Sequence, residues 1–88
     1  MAQGSFDHIL VEIFFPAAGK AYEVRVPRDL RIHELTRLVS KLFEEMEPGS
    51  YSADGTAVLC DRKSGNIFRS TLTPREAGWE NGTQLLFI

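Results

Sequence analysis

The chain has 88 residues, of which 43% are hydrophobic and 25% are charged, and its formal net charge is −2. A chain of this size can bury one small core, which leaves hardly any room for a cleft that also carries a catalytic constellation. The slightly acidic balance gives no electrostatic basis for binding nucleic acid or an anionic membrane.

The apolar runs and the cysteine content indicate where the protein resides. The apolar run at 85–88 is as long as any in the chain, and it is far short of the ~20 residues that span a bilayer. No basic and apolar leader precedes the domain, which argues against secretion through a signal peptide. Cys60 has no second cysteine to pair with, which is typical of a reducing compartment. We therefore expect a cytoplasmic protein with no direct membrane insertion.

We predict a flexible lead-in at residues 1–7 and one domain at residues 8–88. The domain opens with a β-hairpin made of residues 8–15 and 21–26, because both segments alternate and the residues between them are rich in turn formers. The polar Glu12 sets the outward face of the first strand, and Pro27 ends the second. The inward positions are then Ile9, Val11, Ile13 and Phe15 in the first strand, and Tyr22, Val24 and Val26 in the second.

Residues 32–46 change to a helical period. Their apolar side chains recur at spacings of three and four, which predicts one amphipathic helix, and Pro48-Gly49 ends it. Leu38 and Leu42 lie in the middle of this apolar stripe, so we expect them in the core, where Leu42→Ala would cost about 2–5 kcal/mol of stability. The stripe comprises Ile32, Leu35, Leu38, Val39, Leu42, Phe43 and Met46.

The remaining third of the chain predicts shorter elements. They are a third strand at 57–61, a short strand at 67–68, a helical turn or loop at 72–78, a tight turn at Asn81-Gly82 and a closing strand at 83–88. The pattern does not decide which of Val58, Leu59 and Cys60 points inward. The predicted fold class is α+β, with a mixed sheet of four or five strands packed on one amphipathic helix.

The residues that could carry chemistry are scattered. His8 and His33 lie on different elements, whereas a metal site needs three or four clustered ligands. Cys60 in an apolar strand is more often a small buried hydrophobe than a nucleophile, and Trp79 is more often a core aromatic than an exposed anchor. The glycines are dispersed, so no phosphate-binding loop exists. We expect a non-enzymatic protein that needs no metal and no cofactor.

The closing segment carries a family resemblance. The pattern Leu72-x-x-x-x-Ala77-Gly78-Trp79-x-Asn81-Gly82-x-x-Leu85 resembles the ending of ubiquitin-like proteins. Over most of its length, roughly from Ile9 to Ile88, the chain resembles the YukD-like, or EsaB-like, proteins of bacterial type VII secretion systems. This resemblance implies a ubiquitin-like β-grasp fold and a cytoplasmic accessory protein that binds a membrane-associated component of the secretion system.

The closing strand also predicts a surface for such binding. Alternation in Leu85-Leu86-Phe87-Ile88 leaves two large side chains outward in either register. If Leu85 and Phe87 face the core, then Leu86 and Ile88 face outward. In ubiquitin-like sheets the first and last strands are neighbours, so these side chains would lie beside those of Leu10 and Phe14. We expect a protein-contact surface made of Leu10, Phe14, Leu86 and Ile88.

Two other functions stay open at this point. Ubiquitin and related sulfur carriers act through a flexible C-terminal Gly-Gly, whereas this sequence ends in Leu86-Phe87-Ile88 within the closing strand. A carrier-type protein that acts by conjugation or sulfur transfer is therefore disfavoured. The other alternative is a homodimeric structural domain.

Overall fold

The computed structural model describes residues 7–49 and 55–88. Its helices and strands follow in the order β1 (His8–Phe15), β2 (Lys20–Pro27), α1 (Ile32–Met46), β3 (Leu59–Asp61), α2 (Pro74–Ala77) and β4 (Gln84–Phe87). The four strands form one mixed sheet in the order β2-β1-β4-β3. β1 is parallel to β4 and antiparallel to β2, and β3 is antiparallel to β4. The predicted α+β class is confirmed, as are the first strand and the helix.

Alternation in the strands places the core on one face of the sheet, as predicted. Ile9, Val11, Ile13 and Phe15 are buried in β1, and so are Leu85 and Phe87 in β4. In β2 only Val26 is buried, whereas Tyr22 and Val24 are half-buried, because β2 is an edge strand with a neighbour on one side only among the described residues.

An aromatic cluster joins the helix to the sheet. Phe43 of α1 stacks on Phe15 with ring centroids 4.4 Å apart and meets the edge of Phe87 at 5.1 Å. Tyr22 packs against the same Phe43 ring at 5.3 Å, and its hydroxyl donates a hydrogen bond to the Glu47 carboxylate just beyond the helix. Offset and edge-on contacts between rings add to the free energy gained by burying them.

The prediction that Leu38 and Leu42 are core residues is wrong. The buried apolar ridge of α1 consists of Ile32, Leu35, Val39 and Phe43, whereas Leu38 is 54% exposed and Leu42 is 36% exposed. The seven apolar positions of the helix cover an arc of about 140° at 100° per residue, which is wider than the face that one sheet covers. Leu38 and Leu42 lie at one border of that arc and therefore remain at the surface.

The segment after the helix differs from the prediction in the third strand, which begins at Leu59 rather than at residue 57, and at residues 67–68. Residues 67–68 form no strand, because Ile67 makes only an isolated bridge with Cys60. The predicted helical turn is a short helix, α2, whose N-cap Thr73 and residue Glu76 form a reciprocal capping box, with Gly78 in the left-handed conformation after the last turn. The orientation that the sequence left open is now defined: Leu59 faces the core, whereas Cys60, in register with Leu86, is buried on the other face of the sheet, and Val58 is half-buried.

An ion-pair cluster ties the loop before α1 to α2. The Arg75 guanidinium donates to both Asp29 oxygens, at 2.9 and 3.2 Å, and to the Asp7 carboxylate at 2.8 Å. Asp29 therefore binds Arg75 rather than the N-terminus of α1. Asp7 also accepts a backbone hydrogen bond from Arg28, and residues 1–6 of the predicted lead-in lie outside the described residues.

This cluster predicts a loss of stability in acid. The hydrogen bonds from Arg75 lower the pKa of the Asp29 carboxyl below its ordinary value. A carboxyl whose pKa is lower in the folded state stabilises the fold above its unfolded pKa, and this contribution disappears as pH falls through the folded pKa. The melting temperature should therefore fall below about pH 4, and Asp29→Asn should make that fall shallower. Thermal melts from neutral to acid pH measure it, with Glu80→Gln as the control; identical acid slopes for Asp29→Asn and the natural chain would contradict the assignment.

No helix in the described part of the chain is long and apolar enough to span a bilayer.

Candidate protein-contact surface on the open sheet face

The open face of the sheet, on the side away from α1, carries all four residues predicted for a contact surface. Leu10 and Phe14 alternate with the buried positions of β1, and Leu86 and Ile88 alternate with those of β4. Phe14 is in register with Leu86, because β1 and β4 are parallel neighbours. Leu10 is 40% exposed and Ile88 is 56% exposed, while Phe14 and Leu86 are half-buried.

A polar cluster separates Leu10 from the other three. Glu12 lies between Leu10 and Phe14 on β1, and its Oε1 accepts hydrogen bonds from Gln84 Nε2 at 3.1 Å and from Arg62 Nη1 at 3.4 Å. Residues two apart on a strand are about 6.8 Å apart, so Leu10 lies about 14 Å from Phe14 along β1. The continuous apolar surface is therefore Phe14, Leu86 and Ile88, which we call the sheet-face patch.

Arg62 borders the sheet-face patch, and sequence reasoning missed it. Its guanidinium carbon lies 4.6 Å from the centroid of the Phe14 ring, in cation–π geometry, while the same side chain pairs with Glu12. Its backbone N–H donates to the Gln84 carbonyl at 3.1 Å, which places the residue beside β4. This position depends on the register of β3, which the sequence pattern left open. Arginine and aromatic side chains together are typical of binding surfaces.

Leu10 has a second role in holding the turn before β4. Its backbone N–H donates to Asn81 Oδ1 at 2.8 Å, and its carbonyl accepts from the Gly82 N–H at 2.8 Å. Gly82 has φ of +89°, a conformation that favours glycine, so the predicted Asn-Gly turn is confirmed. These bonds fix the start of β4 against β1 and thereby set the register of the sheet-face patch.

Cys60 lies beside the sheet-face patch, but its thiol is too deeply buried to be reactive. It is in register with Leu86 across the β3–β4 ladder, and only 1% of its surface is exposed. Burial raises the pKa of the Cys60 thiol, which disfavours the reactive thiolate. Among the described residues, no group of three or more His, Cys, Asp or Glu side chains is placed to hold a metal ion.

A shallow groove of about 680 Å³ lies on the opposite side of the molecule, between α1 and the segment that follows β3. Apolar Leu59, Ile67 and Phe68 form part of its wall. The helix contributes its other flank, with His33, Thr36, Arg37, Ser40 and Lys41. Gly55 borders it as well.

Comparison with known proteins gives a fold and no family. No family model and no curated protein matches the chain. Solved structures do match, among them the ubiquitin-like domain of the Mycobacterium tuberculosis type VII secretion system protein EccD1, with a TM-score of 0.64 and 12% identity over 93% of this chain and 98% of that one. The EccD5 ubiquitin-like domain from Mycobacterium xenopi matches with a TM-score of 0.70 and 20% identity, over 93% of each chain.

Ubiquitin from Caldiarchaeum subterraneum is similar to the same extent, with a TM-score of 0.73 and 17% identity over 93% of this chain and 92% of that one. Identities this low establish the fold alone. The mixed four-stranded sheet and the long helix α1 of this chain are consistent with that fold. The chain therefore has the ubiquitin-like β-grasp fold.

Proposed function

We propose that this domain is a non-enzymatic protein-binding module that acts in the cytoplasm as an accessory of a type VII secretion system, similar in role to the YukD-like proteins. Its partner is a membrane-associated component of that system, which it binds non-covalently and without a cofactor. The sheet-face patch, with Arg62 at its border, forms the contact.

The observation that carries this proposal is the exposure of large apolar side chains on a face that the fold leaves open. Ile88 is 56% exposed, and Phe14 and Leu86 lie beside it with the Arg62 guanidinium over the Phe14 ring. Apolar residues that are contiguous, exposed and bordered by polar groups are typical of interaction sites. A preformed sheet also lowers the entropy cost of binding, because its backbone is already ordered.

The fold similarity supports the choice of system. Two of the similar structures are ubiquitin-like domains of EccD proteins from type VII secretion systems. Those domains offer a structural precedent for a β-grasp module within such a system.

The test is co-purification with the membrane components of a type VII secretion system from the same cells. Leu86→Asp and Ile88→Asp each place a carboxylate in the sheet-face patch, and burying an unpaired charge in an interface is costly. We expect each to weaken binding at least about tenfold, because truncations at the centre of such patches cost ~2 kcal/mol or more. Ile88→Asp is needed beside Leu86→Asp because Leu86 is half-buried and its replacement also strains the fold.

Leu38→Asp is the matched control, because Leu38 is 54% exposed and lies on α1, on the other side of the sheet from the sheet-face patch. Thermal melts identify variants that lose binding only because they unfold. Binding that survives both patch variants, or that is lost equally in Leu38→Asp, would overturn the proposed contact surface.

A further inference from the structure

The β2 edge is the longest unpaired strand edge in the described part of the chain. β2 spans Lys20–Pro27 and pairs only with β1, so the backbone groups on its other side lack strand partners among the described residues. An exposed edge is a template for another strand, and natural proteins commonly block such edges with charges that repel or with covering segments.

The ladder with β1 decides which backbone groups face this edge. Arg28 N–H donates to the Asp7 carbonyl, in the same register that pairs Val24 with Val11. Hydrogen-bonded residues alternate along an antiparallel strand, so Val24 directs its backbone groups to β1. Ala21, Glu23 and Arg25 then direct their N–H and carbonyl groups to the free edge. Pro27, which has no N–H, presents a carbonyl there.

The side chains at this edge are self-complementary. Glu23 and Arg25 lie on either side of Val24 and point to the open face. If a second copy pairs antiparallel with its two-fold axis at Val24, each Glu23 lies opposite an Arg25 of the other copy. In this register the free donors and acceptors of Glu23 and Arg25 also meet each other, and Ala21 N–H meets the Pro27 carbonyl. Registers with the axis at Glu23 or Arg25 place like charges opposite each other, which is unfavourable.

Within residues 7–49 and 55–88, Glu23 and Arg25 form no ion pair. Glu23 lies opposite Glu12 in the β1–β2 register, a like-charge pair. Glu12 is compensated by Arg62 and Gln84, whereas neither Glu23 nor Arg25 takes part in an ion pair among the described residues. In a dimer, Arg25 of the second copy would place a cation opposite Glu23.

On the face of the sheet that α1 covers, apolar side chains lie next to the β2 edge. The flank of α1 that holds Thr36 and Ser40 faces the groove next to β3, at the far edge of the sheet. The opposite flank, with exposed Leu38 and Leu42, therefore lies toward β2 and its half-buried Tyr22 and Val24. Pairing of two β2 strands covers Val24 with its own copy and brings the two Leu38–Leu42 flanks toward the same seam.

We infer that the domain forms a symmetric dimer with a second copy of itself through antiparallel β2–β2 pairing centred on Val24. The sheet then continues through both copies, and the sheet-face patch of each copy stays open. This inference is independent of the proposed partner, because it uses a different surface.

Sedimentation of the whole chain over a concentration series tests it by charge reversal. The natural chain should dimerise, whereas Glu23→Arg and Arg25→Glu should each weaken the dimer about tenfold or more, because each places two like-charged pairs across the seam. An equimolar mixture of the two variants restores opposite charges at every pair, and so does the double variant Glu23→Arg/Arg25→Glu. Both should recover the dimer, while Glu80→Arg, a charge reversal away from β2, should leave it unchanged.

Thermal melts check that each variant is folded. A natural chain that stays monomeric up to millimolar concentration would overturn the inference. So would a dimer that either single reversal leaves intact, and so would single variants that fail to rescue each other, because rescue is specific to the Glu23–Arg25 register.

Discussion

Replacing Phe43 by alanine should lower the free energy of unfolding by about 3–5 kcal/mol. Phe43 has no exposed surface and contacts the rings of Phe15, Phe87 and Tyr22, so its removal leaves a cavity where the helix meets the sheet. Small domains have a total stability of roughly 5–15 kcal/mol, so the loss is a large share of it. Urea unfolding followed by circular dichroism measures it.

Leu42→Ala is the matched control on the same helix. Leu42 is 36% exposed, so its truncation removes less buried surface and should cost about 1 kcal/mol or less. This comparison tests the corrected face of α1. Equal losses for Phe43→Ala and Leu42→Ala would mean that the helix is rotated from the position described.

Trp79→Ala should also cost about 3–5 kcal/mol. Trp79 is 4% exposed and meets the Phe68 ring edge-on at 5.2 Å, so it anchors the segment between β3 and β4 to the core. Its backbone N–H donates to the Pro74 carbonyl at 3.0 Å, which joins it to α2. Chemical denaturation of the variant gives the loss.

Trp79→Phe separates ring packing from hydrogen bonding at this site. The buried indole Nε1 has no hydrogen-bond acceptor among the described residues, and an unsatisfied buried donor is itself unfavourable. Phenylalanine retains much of the ring and removes this donor, so its cost should stay below about 1.5 kcal/mol. A loss as large as that of Trp79→Ala would show that the indole N–H has an acceptor.

Most of the fold could be predicted because its periodicities are local. The alternation around Glu12 fixed both faces of β1, and the change to a helical period gave the bounds of α1. The prediction for Leu38 and Leu42 was wrong because an apolar stripe shows which arc of a helix is apolar, and does not show how much of that arc a sheet covers. Residues 67–68 were assigned to a strand from two apolar residues, which is too short a segment to specify a ladder.

The face on which the candidate site lies could be predicted from the sequence, but the contacts between its side chains could not. Alternation placed Leu10, Phe14, Leu86 and Ile88 on one face, because β-strand geometry alone determines it. It did not reveal that Glu12 and Gln84 separate Leu10 from the others, or that Arg62 lies over Phe14. Those contacts depend on the register of β3 and on long side chains that reach across strands. Which backbone groups of β2 face its free edge likewise depends on the hydrogen-bond register of the β1–β2 hairpin. The composition of the sequence does not determine that register.

The most direct test of the account is nuclear magnetic resonance mapping of the labelled chain during titration with the purified membrane-associated partner. The account predicts that the amide signals that shift or broaden belong to β1 and β4 around Phe14, Leu86 and Ile88, together with Arg62. Shifts confined to α1 and its groove beside Phe68, with the signals of the sheet-face patch unchanged, would contradict it.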